Sequence, residues 1–143
     1  MATLFFNTSY KNEKYTKTCT ETLGPSFSFL EKIKMGGVGS SRFILSEIST
    51  TLCSLETTAS IKYSNIELRP KGIIVHFTNN LDRYSWVIPY YRLVLYSTQT
   101  FSIHANGHFI RFRKNKNYKN NIRFIAKMTA LKNTFLDLRY YDY

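Results

Sequence analysis

Three histidines, nine carboxylates and two cysteines are the groups in this 143-residue chain that acid–base, metal or nucleophilic chemistry could use. His104 and His108 stand four residues apart, a spacing that suits two metal ligands on one helical turn. They flank Asn106-Gly107, however, and a hairpin turn there sends them to opposite faces. His76 belongs to another apolar run, and no cysteine or carboxylate cluster accompanies any of the three, so neither a metal site nor a cofactor is expected. The acids are scattered: five precede residue 59, and only Glu67, Asp82, Asp137 and Asp142 follow. No Ser-His-Asp or Cys-His signature stands out, which points away from an enzyme and from a small-molecule substrate. The run Gly36-Gly37-Val38-Gly39-Ser40-Ser41 lacks the lysine of a Walker loop, and Arg42 stands where a dinucleotide fingerprint has its third glycine. It reads as a flexible link.

The chemistry that remains is electrostatic. Lys and Arg number 20 against nine Asp and Glu, a net charge of +11. Residues 107–143 hold +7 of that excess. Arg111, Arg113, Lys114, Lys116, Lys119, Arg123 and Lys127 fill seven of 17 positions, with Phe109 just ahead of them and Tyr118 among them. On a strand, Arg111 and Arg113 share a face with Phe109, a ring on which a base could stack. On a helix, Lys119, Arg123 and Lys127 repeat every four residues and could follow a phosphate backbone or an anionic membrane surface. The plain counter-reading is a solvated face that maintains solubility. Heavy use of Lys, Asn, Ile and Tyr, as in an AT-rich genome, offers a second counter-reading, in which part of the charge is codon bias rather than function. The partner expected of this face is an acidic protein, a membrane surface or a nucleic acid; a homo-oligomer stays open.

The elements that must position these groups follow from pattern. The length fits one domain, and 43% hydrophobic with 20% charged residues excludes full disorder, collagen repeats and a coiled coil. Residues 1–14 lack a secretory pattern and no run of 18 apolar residues occurs, so a cytoplasmic location with Cys19 and Cys53 reduced and unpaired is expected. Residues 1–23 are polar without a period and read as an arm or irregular cover. Phe27, Phe29, Leu30 and Ile33 allow a turn or two of amphipathic helix. With the glycine link, residues 1–41 form an N-terminal arm, and the organised domain spans 42–143.

From Arg42 onward alternation predicts strands, with Pro70-Lys71-Gly72 as a turn and Pro89 ending a strand. Trp86 is assigned to the core. Asn106-Gly107 between two alternating runs predicts a tight hairpin that pairs Ala105 with His108, Ile103 with Ile110 and Phe101 with Phe112. Phe124, Ile125, Met128, Leu131 and Phe135 predict an amphipathic helix over about 118–136. The fold class is mainly β (α+β): about seven antiparallel strands in a small barrel or sandwich, closed by one C-terminal helix.

The runs Ile66–Val75 (IELRPKGIIV) and Trp86–Val94 (WVIPYYRLV), the hairpin and Phe124-Ile125 together resemble a pleckstrin-homology-like domain, particularly its bacterial versions, over residues 42–136. In that family a strand pair ending in a glycine turn precedes a hydrophobic-Ile-Pro-aromatic step into the next strand. The resemblance implies a barrel plugged by its last helix and a module that binds lipid, peptide or another subunit without catalysis. Inositol-lipid binding in the family uses basic residues around the first hairpin. Here that hairpin falls near Leu52–Ser60, which holds Glu56 and no Lys or Arg, so the departure argues against that ligand. Fold does not choose function. The resulting expectation is a binding or scaffold module with a basic strand–helix face, and the alternative is a nucleic-acid-binding protein using the surface 109–127.

Overall fold

The structure of the protein, a computed structural model, describes residues 4–53, 61–79 and 81–141, with side chains as far as residue 137. A three-residue strand, β1 (Phe5–Asn7), opens it. Asn12 then caps α1 (Glu13–Leu23), its side chain accepting the Tyr15 N–H. Ser28 and Glu31 form a capping box on α2 (Phe29–Met35), which Gly36 ends in the left-handed conformation. Strands β2 (Phe43–Ile48), β3 (Tyr63–Arg69), β4 (Gly72–Asn79) and β5 (Asp82–Pro89) follow. Pro89 cannot donate to a ladder, and a single 3-10 turn, Tyr90–Arg92, leads on. Strands β6 (Val94–Ser97), β7 (Thr100–Ala105) and β8 (His108–Arg113) precede two helices, α3 (Lys116–Asn120) and α4 (Ile122–Tyr141). Among the described residues no helix is long and apolar enough to cross a membrane. The first-hairpin tip expected near Leu52–Ser60 lies outside the described residues from 54 to 60.

The strands form one antiparallel sheet in the order β1-β5-β4-β3-β2-β8-β7-β6. This agrees with the α+β class, but among the described residues there are eight strands rather than about seven, and the sheet does not close into a barrel, because β1 and β6 remain its edges. The extra strand is β1, whose three residues are too few to show a period. The two halves of the sheet meet in β2. Phe43 and Ile44 pair with β3, Leu45 to Ile48 pair with β8, and the register shifts between Leu45 and Glu47. Such an irregularity bends a strand. The bend brings the inner faces of both halves around one core, where Phe43 stacks on Phe112 with ring centroids 4.8 Å apart and Trp86 on β5 lies 6.5 Å from the His108 ring on β8.

The β7–β8 hairpin has the expected register, residue for residue, with Asn106 and Gly107 both at positive φ. Helix α4 presents Phe124 and Met128 to the core, with Ile125, Leu131 and Phe135 packed at its margin. The expected single helix is broken at Asn121. This side chain is buried: its Oδ1 accepts the Ser41 N–H at 2.9 Å, and its Nδ2 donates to the carbonyls of Ser41 and Asn117. Asn121 therefore anchors the approach to β2 against the helical end of the chain.

Of the expected arm and link over residues 1–41, the described part, 4–41, forms a strand and two helices instead. Phe5 pairs with Trp86 and Phe6 with Ser85, which adds β1 to β5. Helix α1 lays Tyr15, Cys19 and Leu23 over Phe6, Ile74 and Val87 on the outer face of the sheet. The glycine-rich run is held along β3: the Leu68 N–H donates to Val38 O, the Ser40 N–H donates to Ile66 O, and Ser40 Oγ accepts the Ile66 N–H. Gly36 and Gly37 there serve as positive-φ positions that turn the chain after α2.

Candidate functional site

The seven basic residues of the hairpin and helix do different things. The Arg111 guanidinium donates to Glu47 Oε2 and lies 4.3 Å over the Phe109 ring. The His104 ring sits 5.6 Å from the same phenyl, so Phe109 already has two ring-face neighbours. Burial, with the Arg111 charge second, holds His104 below its ordinary pKa. Lys114 Nζ stands 5.3 Å over the Tyr118 ring. Lys127 Nζ donates to Gly37 O at 3.0 Å. Arg113, Lys116, Lys119 and Arg123 are exposed, with Lys119 in α3 and Arg123 in α4 on either side of Asn121. His104 and His108 take opposite faces of their hairpin, the latter hydrogen-bonded through Nδ1 to Thr51 Oγ1 at 2.8 Å.

A second basic surface lies on the outer face of β3–β5. Antiparallel register sets Asn65, His76, Ser85 and Phe6 side by side across four strands, and Thr78 beside Arg83. Helix α1 covers the Val87 end of this face. The other end is a concavity of about 660 Å3 lined by Arg42, Lys62, Tyr63, Asn65, Thr78 and Arg83, among others. The Arg42 guanidinium lies 4.8 Å over the Tyr63 ring. No Asp or Glu lines the concavity among the described residues. Three cations in a recess with low-dielectric walls focus a positive potential on whatever enters.

Beside it, where residues 8–16 cross the sheet, runs a partly buried polar network. His76 Nδ1 is 2.7 Å from Ser85 Oγ, and His76 Nε2 is 3.3 Å from Glu67 Oε1. Arg69 Nε donates to Glu67 Oε2 at 2.6 Å. These are the residue types of a hydrolytic triad, but Ser85 is fully buried and its Oγ is also 2.8 Å from Thr8 Oγ1. Ser85 pairs on both sides, with His76 and Phe6, so the strand amides around it serve the ladders rather than an oxyanion. The network ties the N-terminal segment to β5. Nearby, burial first and the Cys19 thiol second push the Tyr15 hydroxyl up to about 12, and burial raises the Cys19 thiol itself.

Burial works to raise the Glu67 pKa, but hydrogen bonds from His76 and Arg69 and the Arg69 charge outweigh it, and the carboxyl is held at about 2. A carboxyl depressed in the folded state stabilises the fold above its unfolded pKa. That contribution is lost as pH falls from about 4.5 through about 2. Glu67→Gln is therefore expected to flatten the fall in urea midpoint between those pH values and to cost on the order of 2 kcal/mol at pH 7, with partial solvent screening included. Parallel pH profiles for the two proteins would show that the pair does not couple to folding.

Neither the concavity nor the network is visible in any one segment. Glu67, His76 and Ser85 lie nine residues apart on successive strands. Their signal is a set of polar residues at outer positions of a three-strand meander whose neighbours Ile74 and Val87 are apolar. Protein-family models, curated proteins and solved structures contain no match to the chain.

Proposed function

We propose that the protein is a non-enzymatic binding or scaffold module of pleckstrin-homology-like build that holds an anionic partner in the outer concavity of β3–β5. Two features support the family reading. Strands β2–β8 number seven and run as two meanders, β2–β5 and β6–β8, and α4 packs Phe124 and Met128 against their common core. Strand β1 and helix α1 are additions outside residues 42–136.

The observation that carries the binding reading is the recess with Arg42, Lys62 and Arg83 and, among the described residues, no lining carboxylate. Two guanidiniums suit carboxylate or phosphate groups, which they can hold in paired hydrogen bonds. Asn65 and Thr78 add neutral hydrogen-bonding groups, and Tyr63 adds an apolar wall. An acidic protein segment fits this mixture.

The test is fluorescence anisotropy with a labelled oligoglutamate peptide and a labelled oligo-dT, each at low and high salt. The peptide is expected to bind, with affinity reduced about tenfold by Arg42→Glu together with Arg83→Glu and unchanged by Arg113→Glu together with Lys119→Glu. The exposed run Arg113, Lys114, Lys116, Lys119 and Arg123 favours the second reading, a nucleic-acid surface. That reading requires the oligonucleotide to bind with a steep salt dependence that the Arg113/Lys119 pair abolishes. If neither probe binds at low salt, both readings fall.

A further inference from the structure

Helix α2 shows an inverted amphipathicity. Phe29, Leu30 and Ile33 are 77%, 70% and 60% exposed, and no residue of the helix is buried. Seven residues are too few to persist as a helix by propensity. The capping box of Ser28 and Glu31 starts it, and Gly36 and Gly37 close it with hydrogen bonds to the carbonyls of Ile33 and Lys32. Phe27, Met35 and Val38 at its ends pack on the main core. The apolar trio is thus displayed on a preformed support, whereas isolated surface apolar residues need no such scaffolding.

Charge tells what the trio faces. At about 100° per residue, Phe29, Ile33 and Leu30 span about 100° of arc, with Lys32 about 60° to one side and Lys34 about 40° to the other. Met35 lies on the far side, toward the core, and Glu31 there is committed to the cap. The C-terminal end of α2 abuts α4, where Lys127 reaches Gly37 O and Arg123 is exposed one turn earlier. An apolar stripe between lysines is the pattern of a helix lying in a membrane interface. A second copy of the chain would place the same cations against each other, on a molecule that already carries +11.

We propose that α2 is a membrane foot: Phe29, Leu30 and Ile33 enter the interfacial layer of an anionic bilayer, and Lys32 and Lys34 meet its headgroups. The assignment is independent of the β3–β5 concavity, and α2 lies outside residues 42–136.

The test uses the full chain carrying Phe29→Trp with phosphatidylcholine vesicles, either pure or containing about 30% phosphatidylserine. The native Trp86 is buried and supplies a constant background. The introduced indole is expected to shift to the blue only with the anionic vesicles. In the otherwise native chain, Leu30→Ser with Ile33→Ser is expected to cut co-sedimentation at least about tenfold. Arg42→Glu with Arg83→Glu, which removes positive charge away from α2, is expected to lower it by less than about threefold, which separates this proposal from the concavity. An unchanged thermal melt of the Leu30/Ile33 variant shows that the fold is intact; if the melt drops, Lys32→Glu with Lys34→Glu serves in its place. Absence of vesicle binding at low salt overturns the proposal, as does binding indifferent to both α2 pairs. A dimer in sedimentation velocity that Leu30→Ser dissolves, with vesicles unbound, overturns it in favour of a second copy.

Discussion

Met128→Asp is expected to leave the protein unfolded at 25 °C. Met128 is 0% exposed, on the face of α4 that meets the strands of the common core. Its neighbours there are apolar, so a carboxylate at this position would have no partner. The cost of burying it, either charged or forced neutral, is several kcal/mol. Loss of the thioether packing adds about 2 kcal/mol or more. Together these approach the whole stability of a domain of this size, which is about 5–15 kcal/mol. The measurement is emission from Trp86, which is 1% exposed in the folded protein and would shift to the red. Met128→Leu conserves volume and is expected to cost less than about 1.5 kcal/mol. A native-like melt of the aspartate variant would show that α4 does not seal the core.

Gly72→Ala is expected to have the next largest effect, although it adds one methyl group. Gly72 opens β4 after the Pro70-Lys71 turn and pairs with both Arg69 and Pro89. Its φ lies outside the positive range, so space rather than backbone freedom requires glycine. A Cβ placed there would collide with the Ile88 carbonyl oxygen and stand 2.5 Å from Leu23 Cδ2 and 2.7 Å from Pro89 Cα. Two of these three atoms are backbone and cannot rotate aside. Either β5 moves away from β4, or α1 lifts with Leu23. A loss of about 3 kcal/mol is expected, read as a lowered urea midpoint at unchanged slope. A midpoint within error of the native protein would mean that the close approach of β5 and α1 to this turn is wrong. Gly107, by contrast, has open space around its missing Cβ, and its requirement is the positive φ of the hairpin turn.

The parts of the fold that were legible in the sequence are those in which one local pattern suffices. Asn106-Gly107 fixes a register, and that register fixes which side chains face inward. Phe124, Met128 and their neighbours repeat at helical spacing, and the helix follows. Helix α1 was not legible because its buried stripe is a single residue per turn, Tyr15, Cys19 and Leu23, among Thr, Lys and Glu. Residues 36–41 read as a link because their role lies in hydrogen bonds to the β3 backbone, made by main-chain groups and the Ser40 hydroxyl, which apolar patterning does not report. The break at Asn121 arises from contacts with Ser41, 80 residues away. The basic hairpin–helix residues were legible as charge. Their individual partners, such as Glu47 for Arg111 and the Gly37 carbonyl for Lys127, were not, because tertiary packing supplies them. The concavity was the hardest to foresee, since Arg42, Lys62, Tyr63 and Arg83 come together only once three strands are in register.

Strand β1 is three residues long, yet it is what stands between β5 and water. A chain cut to residues 42–143 would lose it together with α1. Strand β5, eight residues rich in aromatic and branched side chains, would then present a bare row of amide and carbonyl groups, with Ile74 and Val87 uncovered beside them. An edge of that length and composition invites pairing between molecules. The N-terminal segment is in this sense a built-in guard against self-association, and the net charge of +11 is a second guard that acts at longer range.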